Sequence, residues 1–154
     1  MAFAETIQSQ QPILTEGAMV ERLRRNPDIS LDPEIVHAGL IYSDNSRHAL
    51  AKIYREYLSI GHRHNLPMLT LAPTWRANPE RAAKAGFTTV DDLNRDCVEF
   101  LKEIRNEYGR YGRKIFVAGM LGCRGNAYNP GEALSAKDAE HFHTRQVEIG
   151  RAHV

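Results

Sequence analysis

The sequence predicts an α/β protein with a parallel sheet, because short apolar runs alternate with longer amphipathic helices. Three apolar runs, 12–15, 68–71 and 115–118, each end at a small, polar or glycine-rich cluster, and helix-forming sequence follows each cluster. Parallel neighbours need a helical crossover between them. Reactive groups in such sheets lie just past the carboxyl ends of the strands, so the three clusters are candidate parts of one site.

Length and composition narrow the class of protein. The 154 residues are enough for one domain with a core, and we expect a single domain over 1–154. The 42% hydrophobic and 25% charged residues are typical of a soluble globular protein. A formal net charge of +1 offers no electrostatic basis for binding nucleic acid or an anionic membrane surface. We therefore expect neither partner.

The N-terminal segment and the cysteines bear on location. Residues 1–11 are polar and lack the basic start and apolar core of a secretory signal, and we expect them to be disordered. No apolar run approaches the length of a membrane span. Cys97 and Cys123 do not make a disulfide framework, which favours a reducing compartment. A cytoplasmic protein is expected.

The helices are predicted from periodicity and capping residues. A short helix over 18–25 follows the first strand, while 33–40 is compatible with a helical turn and 41–45 with a loop. A clear helix opens at Ser46 and buries one face, and further helices begin near Asn78, Thr89 and Ser135. Gly86 is a typical C-cap residue, which would end the helix that begins near Asn78. The coarse order is β-α-(loop)-α-β-α-α-β-α.

The first cluster, Glu16-Gly17, has two interpretations. A carboxylate at a strand end, beside a flexible glycine, can accept hydrogen bonds from a ligand amine or hydroxyl. Equally, Glu16 can be a capping acid and Gly17 a turn glycine at the start of the following helix. Spacing alone favours the second interpretation.

The second and third clusters also leave alternatives open. In 74–78, Trp75 can line a pocket or cover the core, and Arg76 can bind a substrate carboxylate or form a surface salt bridge. The glycines of 119–125 do not have the dinucleotide-binding spacing, and more plausibly let the backbone pass close to a ligand or a neighbouring strand. Cys123 has no base partner that the sequence identifies, so its use as a nucleophile is a weaker hypothesis than an inert thiol.

Two His-x-His pairs, 62/64 and 141/143, are candidate metal ligands by residue type. Residues two apart on a helix point to roughly opposite sides, so one metal cannot bind both His141 and His143 if they are helical. His62 and His64 lie at a predicted helix end, where the helix dipole favours a protonated imidazole. Neither pair is predicted to be a metal site.

Taken in order, the clusters resemble the homocysteine S-methyltransferase family. Its members open with a strand that ends in an acidic residue and Gly-Gly or Gly-Ala, here 16–18. A Thr-aromatic-x-Ala element follows, here 74–77, then a Gly-x-x-Gly element, here 119–122. A helix with a Phe-His pair and a nearby Gln comes last, here Phe142-His143 and Gln146. The resemblance covers about 13–149.

The resemblance implies a partial (β/α)8 TIM barrel, comprising roughly its first three to four β/α units with parallel strands. It also implies transfer of a methyl group from a donor to the thiol of homocysteine, which makes methionine. Glu16 and Gly17 would then contact the substrate amine, and Thr74 would lie at the neighbouring strand end. No residue of this chain is assigned a catalytic role.

Two departures from the family pattern change what is expected. The family usually has Asp where this chain has Glu16. Family members also bind zinc through three cysteines that follow later strands, and neither Cys97 nor Cys123 matches a ligand position. The chain by itself is therefore expected to lack the zinc ligands and to be inactive.

The alternative hypothesis is a non-catalytic half-barrel assembly module or an inactive gene fragment. Three parallel strands without further neighbours would leave free sheet edges. Under either hypothesis we expect self-association through these exposed edges, with homocysteine and a methyl donor as the small-molecule substrates implied by the resemblance.

Overall fold

The computed structural model describes the backbone of residues 3–153 and the side chains of residues 3–150. It contains a three-stranded parallel sheet in the order β1-β2-β3, where β1 is Leu14–Thr15, β2 is Met68–Leu71 and β3 is Ile115–Ala118. Both longer strands occupy the predicted residues. The predicted α/β architecture with parallel strands is confirmed.

Helices connect and flank the strands. The α-helices are α1 (Phe3–Gln8), α2 (Met19–Arg24), α3 (Asp44–Arg63), α4 (Pro79–Lys84), α5 (Val90–Asn106) and α6 (Ala136–His153). Short 3-10 helices cover Ala38–Tyr42, Gly109–Lys114 and Pro130–Glu132. Within the described part of the chain, no helix combines the length and the apolar character needed to cross a membrane.

The structure confirms the predicted start of α6 and the predicted end of α4. The backbone N–H of Asp138 donates to Ser135 Oγ over 3.2 Å, and this hydroxyl donates to the Asp138 carboxylate over 2.6 Å, which is the capping arrangement predicted for α6. Gly86 follows α4 with a φ of 87°, as a C-cap glycine requires. The loop predicted over 41–45 is wrong, because the 3-10 helix extends to Tyr42 and α3 begins at Asp44.

The disorder expected for 1–11 stays a prediction, and within this range the structure contains α1 (Phe3–Gln8). The Phe3 ring lies 5.0 Å from the Phe116 ring, and Thr6 is fully buried. The Phe3 contact and the burial of Thr6 hold this short helix on the sheet. Two such residues in a polar stretch do not make a periodic pattern that the sequence would reveal. Residues 1 and 2 lie outside the described residues.

The two faces of the sheet have different neighbours. Paired residues on parallel strands share a face, so Leu14, Met68 and Ile115 lie on one side. Helices α3 and α5 pack on this side, and Gly61 of α3 approaches Met68 so closely that a Cβ there would lie 2.4 Å from Met68 Cγ. The opposite side carries Phe116 and is contacted by α1.

Helix α3 also connects to the sheet through a buried tyrosine. Tyr54 is 1% exposed, and its hydroxyl donates to the carbonyl oxygen of Leu71 over 2.8 Å. Its ring packs edge-on against Phe100 of α5, with the centroids 6.0 Å apart. Tyr54 therefore links both helices of this layer to the carboxyl end of β2.

We expect Tyr54→Phe to lower the free energy of unfolding by about 1–3 kcal/mol, because it leaves the Leu71 carbonyl without the hydroxyl that it accepts from. Chemical denaturation followed by circular dichroism measures the change. Tyr128 is 94% exposed, so Tyr128→Phe serves as the matched control and should be neutral. Equal effects of the two substitutions would contradict the structural role of the Tyr54 hydroxyl.

Candidate functional site

The carboxylate of Glu16 binds the backbone of the neighbouring strand. Its Oε1 accepts a hydrogen bond from the backbone N–H of Leu71 over 2.7 Å. The β1–β2 register would bring the carbonyl of Glu16 to this N–H if the ladder continued for one more pair. The side chain takes the place of that carbonyl, which holds the carboxylate at the carboxyl edge of the sheet.

The second oxygen of this carboxylate is enclosed by protein, and the Thr70 hydroxyl lies beside the carboxyl group. Glu16 Oε2 is buried and has no hydrogen-bond partner. Burial raises the pKa of the Glu16 carboxyl, while the hydrogen bond from Leu71 N–H opposes that shift. An unpartnered buried carboxylate oxygen is costly, and a ligand N–H or ammonium group would remove that cost.

Glu16 lines a cavity of about 310 Å³ at the ends of β1 and β2. Gly17 lines the same cavity, so the structure brings together the first two residues that the sequence singled out. The remaining wall is mainly apolar or aromatic. It comprises Ala18, Met19, Val20, Glu21, His37, Tyr54, Leu71, Ala72, Trp75 and Met120.

Two tyrosines of α3 hold this edge of the sheet. The Tyr57 hydroxyl donates to the carbonyl of Gly17 over 2.6 Å, and Tyr54 binds the Leu71 carbonyl as described above. Tyr54 and Tyr57 lie on α3, whose periodicity predicts one buried face and no contact with the strand ends. Their hydroxyls bind the carbonyl groups of Leu71 and Gly17, which are close to Glu16 on β2 and after β1. The periodic pattern does not reveal these contacts.

Trp75 forms part of the cavity wall, as one of its two interpretations predicted. The guanidinium carbon of Arg76 lies 4.8 Å from the centre of the Trp75 ring, a cation–π arrangement. Arg76 is not among the residues that line the Glu16 cavity.

Thr74 lies apart from the Glu16 cavity. Its Oγ1 donates to the carbonyl of Met120 over 2.9 Å and accepts from the Met120 N–H over 3.1 Å. It lines a different cavity of about 440 Å³, next to Gly119 and α6. Its two hydrogen bonds to Met120 connect the loops after β2 and β3. Met120 lines both cavities.

The glycines after β3 differ in their surroundings. A Cβ on Gly122 would lie 2.3 Å from the carbonyl oxygen of Trp75, so the two loops can approach only because residue 122 has no side chain. Gly119 has nothing within 4 Å of its ideal Cβ position. The close approach at Gly122 is to the loop after β2 and not to a strand, and the predicted approach of a ligand to these glycines stays a prediction.

Helix α6 supports the loop after β2. Gln146 is 5% exposed, and its Nε2 donates to the Ala77 carbonyl over 2.9 Å and to Asn94 Oδ1 over 3.0 Å. On the same helix, the rings of Phe142 and His143 meet edge-on, with centroids 4.9 Å apart. The Gln146 amide therefore ties α6 to α5 and to the strand-end loop.

His37 is the residue of this site that sequence reasoning missed. It is 5% exposed, its Nδ1 has no hydrogen-bond partner, and it lines the Glu16 cavity. Burial lowers the pKa of His37 to about 4, so its imidazole is neutral near pH 7. It lies in the segment between the first and second strands, where no periodicity or motif identified it.

The cysteines and the histidine pairs do not form a metal centre in the described region. Cys97 is fully buried in α5, and burial raises the pKa of its thiol, whereas Cys123 is exposed. The ring of His62 stacks on Tyr111, with centroids 4.6 Å apart. Among the described residues, no three His, Cys, Asp or Glu side chains are grouped as metal ligands. The donor set therefore does not fit zinc.

Comparison with known families agrees with the order of these elements. Residues 13–154 match the model of the family described as homocysteine S-methyltransferase. The chain belongs to the homocysteine S-methyltransferase family. The predicted family resemblance is thereby confirmed, and it extends over the strands, the Glu16 cavity and α6. No curated protein and no solved structure shows significant similarity to the chain.

We expect Gly122→Ala to lower the melting temperature and to disturb the wall of the Glu16 cavity, because the new methyl group would collide with the Trp75 carbonyl. Gly119→Ala provides the matched control in the same loop and should leave the melting temperature nearly unchanged. Thermal melts and the fluorescence of Trp75, which is the only tryptophan, measure the two effects. Equal responses of the two variants would contradict the close approach.

Proposed function

We propose that this methyltransferase-family chain binds homocysteine in the Glu16 cavity, with the substrate ammonium group on the Glu16 carboxylate. The observation that carries the proposal is the buried, unpartnered Glu16 Oε2 at the carboxyl end of a parallel strand. The family match supports a methyltransferase with a small-molecule substrate. We also propose that the sheet represents the first three strands of a (β/α)8 barrel.

The proposed roles follow from chemistry at this edge of the sheet. Glu16 Oε1 remains on Leu71 N–H while Oε2 accepts from the ammonium group. Because Oε2 is closed to water in this structure, a ligand would reach it after a covering side chain rotates. The pairing would favour the ionised carboxyl and so oppose the effect of burial on its pKa.

The Glu16 side chain is one methylene group longer than the aspartate that is usual in the family. A longer side chain can turn back to the backbone of β2 and still present a second oxygen, as the Leu71 contact shows. Gly17 leaves the cavity side of this turn open, since nothing lies within 4 Å of its ideal Cβ position. Thr74 would act by positioning the loop that carries Trp75.

In the proposed reaction a bond forms between the homocysteine sulfur and the methyl carbon, the donor–methyl bond breaks, and the thiol proton is lost. Glu16 would orient the amino end of the substrate, and Trp75 would help to exclude water from the cavity. Thiol activation is assigned to none of the described residues, and no step through zinc is derived because the donor set does not fit it.

We expect Glu16→Gln to weaken binding of L-homocysteine about 10- to 100-fold, because hydrogen bonds to charged groups contribute about 1.5–3 kcal/mol. Isothermal titration calorimetry of the reduced ligand measures this change. Glu103→Gln is the matched control, since Glu103 is an exposed carboxylate of α5 that pairs with Arg47 and does not line the cavity. Undiminished binding by Glu16→Gln would contradict the proposal.

Stability measurements separate lost binding from lost folding in this experiment. A carboxyl group whose pKa is raised on folding contributes stability in its protonated form, and that stability is lost as pH rises through the folded pKa. At neutral pH the amide of Glu16→Gln removes a buried charge and should not lower the melting temperature. A weakened ligand affinity with an unchanged melt would therefore identify a direct contact.

We propose a second, separable property, which is self-association beside β3. In the described part of the chain, β1 and β3 each pair with a strand on one side only. The 440 Å³ cavity beside the end of β3 is bordered by Leu121 and Val147, which are 43% and 41% exposed. Such an apolar edge favours association. The same exposed apolar edge favours the alternative hypothesis, in which the chain is a non-catalytic assembly module.

We expect the chain to elute as a dimer or larger species in size-exclusion chromatography with light scattering. Val147→Glu should shift the population towards monomer, because it places a charge at the proposed contact, whereas Tyr128→Glu should not. A monodisperse wild-type monomer would contradict self-association without affecting the ligand-binding proposal.

A cytoplasmic location stays a prediction.

A further inference from the structure

The Glu16 cavity is bordered by two side chains that each carry a buried polar atom without a partner. These atoms are Glu16 Oε2 and His37 Nδ1. The first belongs to an acceptor, and the second belongs to a neutral imidazole that donates when Nδ1 carries the proton. A ligand that satisfies both atoms must therefore bring a donor to Glu16 Oε2 and an acceptor to His37 Nδ1.

The position of His37 is determined by the backbone of the preceding turn. Val36 has a φ of 57°, and its backbone exchanges hydrogen bonds of 3.0 Å with Asp32 in an isolated antiparallel bridge. The 3-10 helix Ala38–Tyr42 begins directly after His37. The imidazole is therefore carried between two constrained backbone segments, and its ring is almost fully buried.

Other polar side chains of the cavity are already engaged. The Tyr54 hydroxyl donates to the Leu71 carbonyl, and the Glu21 carboxylate pairs with Arg24. A carboxylate ligand group cannot approach Glu16 without repulsion, but it can accept from a neutral N–H donor. With the proton on Nδ1, His37 is a buried donor of this wall that has no partner within the described residues.

We infer that His37 recognises the α-carboxylate of an amino-acid substrate while Glu16 recognises its ammonium group. This assignment rests on the proposed function and adds the residue that selects a complete amino acid over an aminothiol. The apolar part of the cavity wall, which includes Leu71 and Trp75, contacts the carbon chain and the sulfur. His37 Nδ1 is closed to water in this structure, so a small rotation of the ring accompanies binding.

The test compares three reduced thiols that differ by one group each. L-homocysteine carries both charged groups, 3-aminopropane-1-thiol lacks the carboxylate, and 4-mercaptobutanoate lacks the ammonium group. Calorimetric titrations of the full chain should show tighter binding of L-homocysteine than of 3-aminopropane-1-thiol, by about 10-fold if the contact behaves as a charge-assisted hydrogen bond.

Two polar substitutions of His37 test whether the ligand contact is made at Nδ1 or at Nε2. The side-chain amide of Asn occupies roughly the place of Nδ1, and that of Gln roughly the place of Nε2. We expect His37→Asn to retain preference for L-homocysteine over 3-aminopropane-1-thiol and His37→Gln to lose it. Affinity for 3-aminopropane-1-thiol should stay unchanged in both. The exposed His64 provides the control variant His64→Leu, which should behave as wild type.

The outcomes distinguish this inference from the function on which it rests. If the wild-type chain prefers ligands with an ammonium group and loses that preference in Glu16→Gln, the proposed function stands. The role of His37 is overturned if the His37→Gln variant still binds L-homocysteine more tightly than 3-aminopropane-1-thiol. It is also overturned if this variant binds all three thiols more weakly by the same factor. If the wild-type chain binds none of the three thiols, both proposals are overturned.

Discussion

The hydrogen bond from Leu71 N–H to the Glu16 carboxylate is the interaction on which the geometry of the site depends. It closes the β1–β2 ladder with a side chain instead of a carbonyl, so the strand pairing and the position of the acidic group are set together. Because one carboxylate oxygen is used by the backbone, the other is oriented by the same contact. A carboxylate held by its own scaffold loses little conformational freedom when a ligand binds.

The remaining supports act on the backbone around this carboxylate. Tyr57 and Tyr54 of α3 bind carbonyl groups at the ends of the first two strands, and the Thr74 hydroxyl joins the loops after β2 and β3. Gly122 lets those loops approach at the Trp75 carbonyl. These contacts connect segments that are distant in sequence, so the cavity is built by packing of helices on strands and not by any single loop.

The same site carries unfavourable features that folding alone does not explain. A carboxylate and an imidazole each have a buried atom without a partner, and Ala18 and Val36, two residues of the bordering segments, have φ values of 50° and 57°. For residues other than glycine this left-handed conformation costs energy. Unpaired polar atoms and strained backbone in one place are expected where a ligand compensates for them. The packing of α3 and α5 against the sheet supplies the stability that tolerates them.

The sequence by itself determined the strands β2 and β3, the long helices and the parallel arrangement, because apolar periodicity and capping residues act over a few neighbours. It also singled out Glu16 and Gly17 from their place at a strand end. The tertiary structure decided that Thr74 binds Met120 in a different cavity, that α1 packs on Phe116, and that His37 faces the same cavity as Glu16. These facts depend on contacts between residues far apart in the chain, and on a left-handed turn at Val36 that its side chain does not favour. No local pattern encodes such contacts.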